Sequence, residues 1–210
     1  MGDVARTSDT TVTLNVHAIS ATPIERIEIR NATTVLETIR GYTEDDLGSR
    51  IRVAWSGAEY RGRGRETNWI GKVAFEGQKI SRMSKVNSWN HERRLECVDD
   101  STVEFNAITT GNFSGFDAWL DGTDGTVDVS SNLVSARVPM ADIGFEDSIL
   151  DAGGLRRQIK LYRLPDENTH RELSASVEIS LDAAKDDALW VSVYTEDGFQ
   201  AWSSPVYLIP

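Results

Sequence analysis

The chain of 210 residues holds one cysteine, three histidines and five prolines. A single thiol, Cys97, excludes an intrachain disulfide and any cysteine-based zinc cluster. Its place in Leu95-Glu96-Cys97-Val98 predicts a small core residue. His17, His91 and His170 are isolated, without His-x-His or His-Glu-x-x-His spacing, so neither a metal centre nor a cofactor is expected. No apolar run approaches the ~20 residues that span a bilayer. The opening MGDVARTSDTTVTL shows no basic flank before an apolar block, the mark of a secretory signal. Positive charge is scarce: 22 Lys and Arg against 33 Asp and Glu give a net charge of −11. That balance argues against general nucleic-acid binding and against anionic membranes as partners. The phosphate-cradling Gly-x-x-x-x-Gly-Lys-Ser/Thr motif is missing. Gly111 to Gly115 reads Gly-Asn-Phe-Ser-Gly, not the Gly-x-Ser-x-Gly of a serine hydrolase.

A sustained i, i+3, i+4, i+7 pattern is also missing, and what replaces it is alternation. Val12, Leu14, Val16 and Ala18 share one face of an extended segment; Leu173, Ala175, Val177, Ile179 and Leu181 repeat the pattern late in the chain. Leu189, Val191 and Val193 alternate with Trp190, Ser192 and Tyr194, and Asp197-Gly198 supplies the turn into a last apolar run. Ile27 and Ile29 mark a second early strand, and Val35 to Ile39 a third. Between these ends lie further strands around Ile51–Trp55, Trp69–Phe75, Lys79–Met83, Val103–Ala107, Phe116–Leu120, Val127–Val129 and Leu133–Val138. Gly-Asn-Phe-Ser-Gly reads as a turn, and Met140 to Gly154 as a loop or short helical turn. The fold class is therefore all-β. The first and last strands predict an immunoglobulin-like β-sandwich built from residues 1–48 and 156–210, with residues 49–155 as an inserted β-domain. One large sandwich fits the length equally well.

Arg61-Gly-Arg63-Gly-Arg65, preceded by Arg50 and Arg52, is the one basic cluster in an acidic chain. It reads either as an anion clamp or docking surface, or as a glycine-hinged turn whose arginines pair with the chain's own carboxylates. Six tryptophans offer sugar-stacking platforms. Trp55 and Trp69 sit in register with aliphatic neighbours and are expected in the core; Trp89 and Trp119 are the glycan-stacking candidates. Asp121, Asp124 and Asp128, in DGTDGTVD, miss the register of a recognisable calcium loop.

Arg52-Val53-Ala54-Trp55-Ser56-Gly57-Ala58, the Arg61 to Arg65 run, Trp69 and Gly71 together resemble the C-terminal region of domain-of-unknown-function family 3604. Asp151-Ala-Gly-Gly-Leu155, Arg171-Glu172-Leu173, Asp197-Gly198 and Ala201-Trp202-Ser203-Ser204-Pro205 are similar to it too. The resemblance implies a bacterial protein that continues upstream into a metal-dependent phosphoesterase domain of the polymerase-and-histidinol-phosphatase (PHP) type. It also implies a chain starting near a domain junction, at Met1-Gly2-Asp3. No ligand motif of that domain has a counterpart among these residues. The implied role is a non-catalytic accessory β-region whose partner is the missing N-terminal catalytic domain, met by Arg61, Arg63 and Arg65.

Overall fold

The computed structural model describes residues 2–182 and 184–210; Met1, where the expected sandwich begins, and Ala183 lie outside the described residues. Four strands come first: β1 (Val4–Arg6), β2 (Thr11–Ile19), β3 (Ile24–Asn31) and β4 (Thr34–Ile39). Ten occupy the middle: β5 (Arg50–Ala58), β6 (Thr67–Glu76), β7 (Ile80–Val86), β8 (Leu95–Cys97), β9 (Thr102–Thr109), β10 (Phe113–Leu120), β11 (Thr126–Ser131), β12 (Ser135–Pro139), β13 (Ser148–Asp151) and β14 (Leu155–Leu164). Four close the chain: β15 (Glu172–Ser180), β16 (Asp187–Thr195), β17 (Gln200–Trp202) and β18 (Val206–Ile209). Helix is confined, among the described residues, to single turns at Glu44–Asp46 and Met140–Asp142. The protein is all-β.

The strands form two compact bodies, one of residues up to Thr43 with Asn168–Pro210, the other Glu44–Glu167. In the terminal body a six-stranded sheet runs β1-β18-β16-β3-β4, with β17 also on β16. The chain's two ends meet in it: β1 lies parallel to β18, and β3 antiparallel to β16 with Ile29 opposite Val191. A separate two-stranded sheet pairs β2 with β15 along their full lengths, from Thr11 against Ser180 to Ile19 against Glu172. Its alternation sends Val12, Val16, Leu173 and Ile179 against Ile27, Ile29 and Leu189, while the threonines, serines and glutamates opposite stay wet. The layers thus hold six and two strands, whereas a constant-type immunoglobulin domain holds four and three.

The middle body stacks one five-stranded sheet, β13-β14-β5-β10-β7, on another, β12-β11-β6-β9-β8. Ile51, Val53, Trp55, Phe116, Ile159 and Leu161 of the first sheet meet Trp69, Val73, Phe75, Phe105, Val127 and Val129 of the second. Trp55 stacks on Phe105 with ring centroids 4.5 Å apart. Here the expected boundary is corrected. Residues 156–167 do not join the terminal sandwich: β14 pairs with β5, Leu161 opposite Val53, and puts Ile159 and Leu161 into the middle core. Residues 44–48 move with them, because Gly48 N–H donates to Leu164 O and Arg50 N–H to Asp166 Oδ1. Alternation marks a strand's faces but not its partner, so it does not fix either junction.

Two local expectations change as well. The Gly-Asn-Phe-Ser-Gly turn is largely strand, since β10 begins at Phe113. Gly115 serves close strand approach: a Cβ there would lie 2.2 Å from Val53 O and 2.9 Å from Ala54 Cα. Cys97 is exposed rather than core, because it ends β8, a three-residue strand at the edge of its sheet.

Candidate functional site

The Arg61–Arg65 run connects the central strands of the two middle sheets, β5 and β6. Gly62 and Gly64 take φ of +104° and +74°, which lets five residues double back without a side-chain clash. Glu59 N–H donates to Arg65 O at 3.4 Å and closes the loop, and all three arginines are exposed.

Arg50 and Arg52, grouped with them in the sequence, do something else. Both side chains leave the outward face of β5 and converge on Asp117 of β10, which the register puts directly opposite Arg52. Asp117 accepts from Arg52 Nε (2.6 Å) and Nη2 (2.9 Å) and from Arg50 Nη2 (2.6 Å) and Nε (3.2 Å). Arg52 is 1% exposed and Asp117 2%. Burial pushes the Asp117 carboxyl upward, but Arg52 and then Arg50 outweigh it and hold the group below the usual range. This cluster is fastened internally and is not the clamp that the sequence run suggests.

The glycan candidates separate. Trp89 is 69% exposed in the loop between β7 and β8. Trp119 stands opposite Arg50 near the other end of the sheet, with the Arg82 and Arg50 guanidiniums over its ring at 3.6 and 4.7 Å. Its Nε1–H donates to Asp166 O at 2.9 Å. The two rings therefore form no common platform, and Trp119 is engaged already. Trp55 and Trp69 are fully buried. Trp202, on β17, is 70% exposed, although the alternation of a terminal hairpin predicts core.

Asp121 accepts from Lys79 N–H at 2.7 Å, as a turn carboxylate does, and Asp128 lies on β11 opposite Arg137. Among the described residues no three His, Cys, Asp or Glu side chains converge as a metal would require. His17 lies 3.0 Å from Glu172, and His170 Nδ1 3.0 Å from Asn168.

The structure adds a second two-arginine carboxylate that the sequence analysis does not name. On the outward face of β3, Arg26 Nε donates to Glu28 at 2.8 Å and Arg30 Nε at 2.9 Å, with Arg26 over Tyr194 and Arg30 over Trp190. Burial raises the Glu28 carboxyl, and Arg26 then Arg30 bring it below its ordinary value. The signal was the alternation Arg-x-Glu-x-Arg, which puts three charges on one strand face.

No protein-family model, curated protein or solved structure matches the chain.

Proposed function

We propose that the chain is a non-catalytic accessory β-region that acts by contact, using the Arg61, Arg63 and Arg65 loop. Following the resemblance to family 3604, its first partner is an upstream catalytic domain of the PHP-like, metal-dependent hydrolase type. One observation carries the contact reading: these three arginines are exposed on the loop that connects the central strands of the two middle sheets, whereas Arg50 and Arg52 are buried on Asp117. Exposed guanidiniums suit recognition of carboxylates, which they can meet with bidentate geometry.

The test is R61E/R63E/R65E in the full-length protein. Activity and interdomain stability are expected to fall, with the melting of the isolated chain unchanged. Unchanged activity and stability in the full-length variant would refute the docking role. Turnover of a phosphoester by the purified 210-residue chain would refute the accessory role.

A carbohydrate-binding module is the second reading; of its two candidates, Trp89 and Trp119, only the exposed Trp89 favours it. Titrating tryptophan fluorescence with a panel of oligosaccharides tests it, and a response abolished by Trp89→Ala would favour it over docking.

A further inference from the structure

Charge in the middle body is sorted by end. Strands of up to ten residues hold the two sets of loops ~30 Å apart. At one end lie loops 59–66, 87–94, 110–112 and 132–134 and the β13–β14 hairpin, 152–157. They carry seven arginines against three glutamates. At the other end, loops 44–49, 77–79, 98–101, 121–125, 140–147 and 165–167 carry twelve carboxylates and one lysine. The net charge of −11 is therefore no guide to the basic end.

That end also presents aromatic surface. Tyr60, 51% exposed, belongs to the arginine loop itself, and Trp89 to the loop two strands away. At ~5 Å per strand, the β13–β14 hairpin, the Arg61–Arg65 loop and the Trp89 loop make one strip ~15–20 Å long. Arg156 stands at one side, Arg61, Arg63 and Arg65 in the middle, Trp89 at the other. Trp, Tyr and Arg are the residues that dominate binding energy at protein interfaces. Three glutamates among the arginines disfavour a phosphate polymer, whose dense charge calls for an unbroken positive track.

We infer that this whole end is a docking surface for a carboxylate-rich protein surface, with Trp89 and Tyr60 as its apolar anchors. The inference rests on the contact reading above, enlarges the surface to three loops and names the chemistry of the partner.

The experiment is fluorescence anisotropy of the intact chain with labelled poly-glutamate, beside a dT16 oligonucleotide and heparin. Poly-glutamate is expected to bind more tightly than either and to weaken as salt rises from 50 to 300 mM. R61A/R63A/R65A should lower affinity about tenfold or more, and W89A and R156A each about fivefold. Lys72→Ala, on a strand away from both ends, should change nothing. Circular dichroism checks that each variant is folded. Equal or tighter binding of dT16 or heparin overturns the inference, as does poly-glutamate binding indifferent to W89A and R156A. No binding of poly-glutamate, with R61E/R63E/R65E still lowering full-length activity, overturns it and leaves the contact reading standing. No effect in either experiment overturns both.

Discussion

Replacing Asp117 with alanine tests what fastens the outward face of the β5–β10 pair. The carboxylate accepts four guanidinium hydrogen bonds at 2.6–3.2 Å from side chains that are themselves buried. Removing it leaves two guanidiniums in a dry site without that counter-charge, a change that costs about 3–5 kcal/mol where such clusters have been broken. In a body of this size each kcal/mol is worth about 3–6 °C, so its thermal transition should fall by roughly 10–30 °C. Circular dichroism and tryptophan emission during heating and urea unfolding give the measurement. Asp117→Asn keeps the shape and removes the charge, separating electrostatics from packing. The pH dependence supplies a second reading with a definite sign. The folded carboxyl titrates below its unfolded value, so its stabilisation is fully present above pH ~4 and is lost as pH falls through the folded value. D117N should flatten that acid limb. A loss below ~1 kcal/mol for D117A, the level of an exposed ion pair, would refute the argument.

Gly115→Ala should destabilise the middle body by about 1–3 kcal/mol or more, because its Cβ would meet the backbone oxygen of Val53 at 2.2 Å; urea midpoints check this. Thr109→Val cuts a relay in which Trp69 Nε1–H donates to Thr109 Oγ1, which donates to Gly57 O. It should cost about 1–3 kcal/mol in the same measurement. Cys97, exposed with its thiol pushed up by partial burial and then by Asp99, should react with a maleimide in the folded chain. Its rate at neutral pH should lie below that of free cysteine and rise with pH. Protection until unfolding would restore a core position.

Period-two patterning was legible because it follows from the pleat: β2, β15 and β16 came out of Val12 to Ala18, Leu173 to Leu181 and Leu189 to Val193 almost residue for residue. Partnership was not, since a strand's pattern says which side is wet and nothing about its neighbour. The pattern of β14 fits either body for that reason, and only its pairing with β5 assigns it to the middle one. Glycine is ambiguous in the opposite sense: Gly115 has the look of turn chemistry, yet it permits close strand approach. At the candidate site, the Arg50 to Arg65 run is a single feature on paper but two in space. Arg50 and Arg52 sit mid-sheet, and only register could show Asp117, 65 residues from Arg52, standing across from it. The sorting of loop charge to opposite ends needed the topology, because the loops that share an end are dispersed through the chain.

The junctions lead to a last prediction. Leu164 pairs with Arg50, so the middle body starts and stops on adjacent strands; in the terminal body a Cβ on Gly41 would lie within 3 Å of the His170 side chain. Both bodies therefore have their cut ends close together, the geometry that domain insertion requires. Glu44–Glu167 made alone should fold, because both its sheets and the core between them are complete within those residues. Joining Thr43 to Asn168 through a short Gly-Ser linker should yield a folded terminal body as well. Stopping the chain at Glu167 should leave β1–β4 unfolded: β3 loses β16, β2 loses β15, and Ile27 and Ile29 lose the layer over them. Amide dispersion in NMR spectra of the three proteins decides the matter. A dispersed β1–β4 signal set in the truncated chain, or a collapsed spectrum from isolated Glu44–Glu167, would show that the two bodies do not fold as these pairings require.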